Sequence, residues 1–472
     1  MSEGGVIIVD AGKTVSKAIL LDSRGALVAR RQRANLTAHH DGLAVLDVAG
    51  IEGWLGETLT EFSMLARVRT IVPVGHGAGA AILREGRLVR PPLDYEQPLP
   101  PAIRADYDRQ RDAYALTGSP ALPNGLNLGA QIHFLECRNP DLLKAGATIV
   151  PWAQYWSWLL SGVAASEVSS LGCHTDLWCP FEGVPSPLAI RRGWAERLAP
   201  LRPAGDALGT LRPEWARRTG LAADVQVLCG VHDSNAALLA ARGFAEIGGG
   251  EATVLSTGTW FVAMRSPAAD VAVDPALLDE DRDCLVNVDV AGRPIPSSRF
   301  MGGRELQLLL AEDGLQIDDP GLQDALLREV PGVIESGAMV LPTLLPGVGP
   351  FPRGRSRWRH RPDSPIARAA AVAIYAALVA DTALDLIGAR DRLLIEGRFA
   401  RAEAFVGLLA SLRPSTKVYV AEREMDLAFG AARLVDGELA PPASLHVVPA
   451  LADEMDGYRA RWLQLTGGEV SP

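Results

Sequence analysis

Gly5-Val6-Ile7-Ile8-Val9-Asp10-Ala11-Gly12-Lys13-Thr14-Val15-Ser16-Lys17-Ala18-Ile19-Leu20-Leu21 is the stretch whose reading decides the fold. A β-branched run ends on a carboxylate, a turn of small residues follows, and a second apolar run returns. Ser23-Arg24-Gly25 and a further run, Ala26–Ala29, extend the pattern, which predicts consecutive antiparallel strands. The Gly-Lys-Thr of this turn is therefore not a Walker loop. Such a loop joins a strand to a helix and needs an earlier glycine at the place that Ile7 holds here.

The same pattern recurs downstream. Ala252–Leu255 predicts a strand, Ser256–Thr259 a turn, and Trp260–Met264 a returning strand. Gly248-Gly249-Gly250 precedes it and reads as a linker, because three glycines are costly to hold in a regular element. A chain of 472 residues exceeds one ordinary core. The expectation is an α/β protein of two related domains, 1–245 and 251–440, with a tail over 441–472, each sheet pointing its first turn at a shared cleft.

Between the two hairpins, helical spacing predicts a helix over Gly50–Ala66, and Thr70–Val74 reads as a strand entering Gly75-His76-Gly77. The proline-rich stretch 91–125 predicts an ordered excursion over the surface or across a cleft. Helices are expected at Gly129–Cys137 and Pro151–Leu160, with the aromatics at 152–158 as core. Val225–Leu228 predicts a buried strand, followed by Gly230-Val231-His232-Asp233 and a helix to Arg242.

With 48% hydrophobic and 22% charged residues, the composition is that of a globular enzyme. A net charge of -10 argues against a dedicated nucleic-acid binder. Only four of the 46 basic residues are lysine, and two of them, Lys13 and Lys17, flank the first turn, where a compact ammonium suits a phosphate. Five scattered cysteines make no disulfide framework. The apolar region Ala369–Leu386 carries Asp381 and Asp385 and predicts a buried helix, not a membrane span. A cytoplasmic protein with no membrane or nucleic-acid partner is the expectation, and a homodimer is compatible with it.

Phosphoryl transfer to an alcohol asks the protein to hold a triphosphate, hold a metal, align a hydroxyl and accept its proton. Asp10 ends a strand and is placed to hold Mg²⁺. Gly12, Lys13, Thr14 and Lys17 on one turn, and Ser256, Thr257, Gly258 and Thr259 on the other, supply phosphate donors. Asp233, at a helix start after a buried strand, is the candidate base and a second metal ligand; helix capping alone would also account for an Asp there. His76, Asp94, Tyr95, Glu96 and His232 are the candidate sugar contacts, against the plainer readings of core histidines and a solvated loop.

These motifs resemble the FGGY carbohydrate kinases over roughly residues 5 to 437. Val9–Ala18 is similar to the family's first phosphate motif, Gly230–Asp233 to its Gly-x-His-Asp segment, Ser256–Trp260 to its second phosphate motif, and Glu424–Ala432 to its Glu-x-x-Ala-x-Gly-Ala-Ala helix start. The resemblance implies two ribonuclease-H-like domains of the actin/hexokinase ATPase type flanking a cleft. It also implies ATP with Mg²⁺, and Asp233 as base toward a small sugar. Lys13 stands where the family has Thr, and Glu396-Gly397-Arg398-Phe399-Ala400-Arg401 replaces a glycine-rich adenosine segment. Gly397, Arg398 and Phe399 are the expected nucleotide contacts there. The Gly-Val before His-Asp and the Arg299–Gly303 stretch lean toward the rhamnulose and fuculose kinase branch. A sugar-binding pseudokinase and an actin- or chaperone-like ATPase are the competing readings.

Overall fold

The computed structural model describes residues 3–423, 426–452 and 455–467. The chain forms two compact units: 1–243 with 286–294 and 426–442, and 244–285 with 295–425 and 443–467.

In the first unit, strand Glu3–Ala11 pairs antiparallel with Val15–Leu21 and parallel with Arg67–Gly75. Leu27–Ala34 extends the sheet on one side; Gln226–Leu228 and Ala207–Thr210 extend it on the other, and Val231–His232 adds to the end of Arg67–Gly75. Ile7, Ile8 and Val9 are buried, so the strand is covered on both faces, which is why it reads as a continuous apolar run. Helix Val48–Leu65 packs Ile51, Leu55, Leu59 and Phe62 into this core and is capped by Asp47, whose side chain accepts from Gly50 N.

The second unit repeats the arrangement. Ala252–Thr257 pairs antiparallel with Phe261–Ser266 and parallel with Arg392–Gly397. Its sheet runs Cys284–Val288, Pro294–Phe300, Phe261–Ser266, Ala252–Thr257, Arg392–Gly397, Lys417–Ala421, Leu445–Val447. The Ala-rich helix Pro365–Leu386 fills the core beside it, begun by Ser364 as cap and Pro365 in the first turn. It is long and apolar enough to cross a membrane, but 83% of its apolar window is buried inside the unit. Its buried Asp381 is held by Arg413 at 2.8 Å and Arg459 at 2.7 Å.

The proline-rich stretch is ordered, with helices Pro101–Gln110 and Tyr114–Thr117. One expectation needs refining. The three glycines are not a free linker: helix Ala245–Gly248 runs into them, and the change of unit falls between Gly243 and Phe244. The aromatic cluster is core as expected, with Trp152, Tyr155, Trp156 and Trp158 all buried.

Of the expected motif at 424–432, Glu424 and Met425 lie outside the described residues. Asp426 caps helix Leu427–Ala432 through Ala428 N, and this helix packs on Asp233–Ala241. A β-carbon on Gly430 would lie 1.8 Å from the Ala236 carbonyl oxygen and 2.6 Å from Ala240 N. The glycine is there to let two helix backbones touch. Gly430→Ala is expected to destabilise the first unit by about 3 kcal/mol, since neither backbone can yield locally; an unchanged denaturant midpoint with an unchanged slope would show that the helices separate freely.

Candidate active site

Asp10 is the last but one residue of a strand buried on both faces, and its side chain is buried with it. Burial, with the negative charge of Asp233 nearby, pushes its carboxyl up to about 7, against a smaller downward pull from Lys17, whose Nζ is 4.0 Å away. A buried Asp10 with the negative charge of Asp233 beside it is a donor set suited to a divalent cation, which would favour the charged form of Asp10. Among the described residues no group of three or more His, Cys, Asp or Glu offers a protein-only metal cage.

The turn after Asp10 is held from behind. Asn35 donates to the Gly12 carbonyl at 2.8 Å, accepts from Ser16 Oγ at 3.1 Å, and its backbone N–H donates to Thr14 O at 2.8 Å. Trp152 Nε1 donates to the Ala11 carbonyl at 2.7 Å. Sequence reasoning did not single out Asn35 or the Trp152 indole, because each lies far along the chain from the turn it steadies.

Lys13 does not stand free. Its ammonium is 3.1 Å from Asp94 Oδ1, is paired with Glu96, and lies 4.5 Å from the centre of the Tyr95 ring. Tyr95 meets His76 edge-on at 5.4 Å, and His76 tilts against Trp152 at 6.1 Å. Neither ring nitrogen of His76 has a hydrogen-bond partner among the described residues. Burial pushes this imidazole down to about 4, so it is neutral near pH 7 and able to donate and accept. His76, Asp94, Tyr95 and Glu96 thus sit beside the Asp10 turn.

His232 caps helix Asp233–Ala241 in extended backbone, and burial lowers its pKa. Its Nε2 lies 3.1 Å from Asp233 Oδ1, which also accepts from Ser234 N at 2.6 Å. Oδ2 of Asp233 makes no bond among the described residues. His232 N donates to Ser169 Oγ at 3.3 Å, and Ser169 Oγ donates to the fully buried Glu167 at 2.5 Å. Glu167 is a support that the sequence did not reveal.

In the second unit the turn after Ala252–Thr257 is tied to the neighbouring strand. Ser256 Oγ donates to the Glu396 carboxylate, Thr257 Oγ1 donates to Glu396 O at 2.6 Å, and Phe399 N donates to Thr257 Oγ1 at 3.0 Å. Gly397 takes φ +82°, and a β-carbon there would meet Thr257 O at 2.3 Å, so only glycine fits. Phe399 is buried and packs on Phe261 at 5.3 Å. Arg398 lies over the Phe399 ring at 5.0 Å and donates to both oxygens of Asp318, at 2.6 and 2.8 Å, and to Gln316 at 2.8 Å. Beside them is a cavity of about 350 Å³ lined by Gly258, Thr259, Gly303, Leu310, Arg398 and Phe399 among others. The two residues that replace glycines thus form a wall of the cavity without filling it.

Two α/β units, each built on a strand–turn–strand hairpin with a parallel third strand, are the actin- and hexokinase-like ATPase fold. A family model for the C-terminal domain of FGGY carbohydrate kinases matches residues 249–442. The crystal structure of a carbohydrate kinase from Novosphingobium aromaticivorans is 54% identical over 100% of both chains, with a TM-score of 0.96. The chain belongs to the FGGY carbohydrate kinases. It is also 27% identical to an L-fuculokinase of Salmonella typhi over 58% of this chain, a match that spans 59% of that protein. A xylulose kinase from Rhodospirillum rubrum shares the fold at 20% identity, TM-score 0.79, over 98% of this chain and 99% of that one.

The buried carboxyl of Asp10 makes stability depend on pH. Its pKa is raised from 3.8 to about 7 on folding, so its contribution is complete below about pH 4 and is lost as pH rises through 7. Without divalent cations, Asp10→Asn should remove that loss and stabilise the protein above pH 7 by up to roughly 4 kcal/mol. Glu167, also raised to about 7, contributes to both proteins, so the difference between their melting profiles isolates Asp10. Parallel profiles would mean that Asp10 is already ionised in the folded state.

Proposed function

We propose that this kinase transfers the γ-phosphoryl group of ATP to a hydroxyl of a small ketose or polyol, with Asp233 as general base. The observation that carries this reading is the state of Asp233. It sits at a helix start, with one carboxylate oxygen held by Ser234 N and close to His232 Nε2, and the other unengaged. A carboxylate oriented on one side and open on the other can accept a hydroxyl proton as the oxygen attacks phosphorus.

His76 and His232, each with a ring nitrogen lacking a partner among the described residues, are suited to orient acceptor hydroxyls, and the Tyr95 ring would back the sugar. Gly12, Thr14 and Lys17 on the first turn and Ser256–Thr259 on the second are the proposed phosphate donors. Gly397, Arg398 and Phe399 would wall the nucleoside in the cavity of the second unit. Asp10 and Asp233 would hold Mg²⁺, which when bound neutralises charge on the phosphates. Water exclusion falls to the buried surroundings of Asp10 and His232. That Arg398 is engaged by Asp318 and Gln316, leaving the cavity open, supports an active kinase over a pseudokinase.

An ADP-release screen of ketoses, polyols and aldoses tests the reading. Release should need an acceptor, and Asp233→Ala should lower kcat by about two to four orders of magnitude with the nucleotide's affinity little changed. Acceptor-independent ADP release would favour a plain ATPase, and an Asp233→Ala variant with full turnover would remove the residue from the chemistry.

A further inference from the structure

We infer that Lys13 is a positioning residue that locks the 94–96 turn onto the Asp10 hairpin, serving the acceptor side of the site and not the phosphates of the nucleotide. The inference rests on the kinase reading for what the site does, and on geometry alone for what Lys13 does.

Three contacts converge on one ammonium: Asp94 at 3.1 Å, Glu96, and the face of Tyr95 at 4.5 Å. To reach a phosphate, Lys13 would have to leave all three. Asp94 is itself buried, and a buried carboxylate stripped of its cation costs several kcal/mol, so the pair resists separation. Lys17, on the same hairpin, is 34% exposed and has, among the described residues, a single longer contact, 4.0 Å to Asp10.

Both ends of the tether are stiff. The Gly12–Thr14 turn is held by Asn35. The 94–97 turn is closed by Glu96 N donating to Asp94 Oδ1 at 2.8 Å and Gln97 N to Asp94 O at 3.0 Å. That turn is anchored by Asp94 N to Ala44 O at 3.1 Å and by Ala44 N to Gln97 Oε1 at 2.8 Å. A short ion pair between two stiff turns fixes one relative to the other. Tyr95 rides on the clamped turn, and its ring sets the edge contact with His76, whose nitrogens are unengaged. The chain of contact Lys13–Tyr95–His76–Trp152 ends on the carbonyl of Ala11, so it closes on the strand from which it began. A threonine at this position could not span the distance.

Hydrogen exchange on the full chain, with calorimetric titration of MgADP, tests this without turnover, so its failure is separate from any failure of the kinase reading. In Lys13→Thr the amides of Glu96 and Gln97 should exchange about tenfold faster or more, while those of the strand Glu3–Ala11 keep their protection. The MgADP dissociation constant should stay within about fivefold of the parent. Lys13→Arg should restore slow exchange, which a purely steric defect would not allow. Glu96→Gln, which removes only the exposed partner, should loosen the same two amides to a smaller degree, and it carries the test if Lys13→Thr fails to fold. Unchanged exchange at Glu96 and Gln97, or a loss of MgADP affinity beyond fivefold, overturns the proposal.

Discussion

A carboxylate carried into the protein interior at the end of a strand is the constraint on which this structure depends. Asp10 is only 5% exposed, and burial weighs more in its electrostatics than either charged neighbour. Such a group persists only when the surroundings determine its position, and here they do. The strand is paired on both edges, Asn35 and Trp152 secure the turn, and Lys17 and Asp233 supply the local charges. The cost is of the kind that a bound cation would offset.

The second unit uses the same backbone plan with different side chains. Its central strand also ends in a tight turn and also has a parallel neighbour, but the strand closes on Ser256 and Thr257 where the first closes on Asp10 and Ala11. The chain leaving the parallel neighbour is Gly75-His76-Gly77 in one unit and Gly397-Arg398-Phe399 in the other. Equivalent places in the two sheets thus carry an imidazole in one unit and a guanidinium and a phenyl ring in the other. Hydroxyls and glycines leave room for backbone amides to meet phosphate, whereas carboxylates and imidazoles handle protons and metal.

Arg398 and Phe399 show how a departure from a glycine-rich segment can be absorbed. Close backbone approach is retained at Gly397, where the positive φ demands it. The aromatic ring goes into the core against Phe261, and the guanidinium is drawn aside by Asp318 and Gln316. Bulk added at the segment is thereby moved out of the cavity. Asp318 and Gln316 lie some 80 residues away in the chain, so no local pattern could have shown that they would do this.

Local chemistry was legible wherever it is short in range. The two hairpins, the buried Ala-rich helix, the aromatic core and the helix start at Asp233 follow from apolar runs, turn residues and helical spacing, because those elements satisfy their own hydrogen bonds within a few residues or one strand pairing. The interruption of each unit by segments from elsewhere, 286–294 and 426–442 in the first, was not legible, since it follows from packing such as Gly430 against Ala236. Nor was the partner of Lys13. By itself the sequence determined that a lysine stands in the turn after Asp10; only the tertiary structure decided that its charge would be spent on Asp94, Glu96 and Tyr95, because a long flexible side chain goes to whichever opposite charges the fold brings within reach.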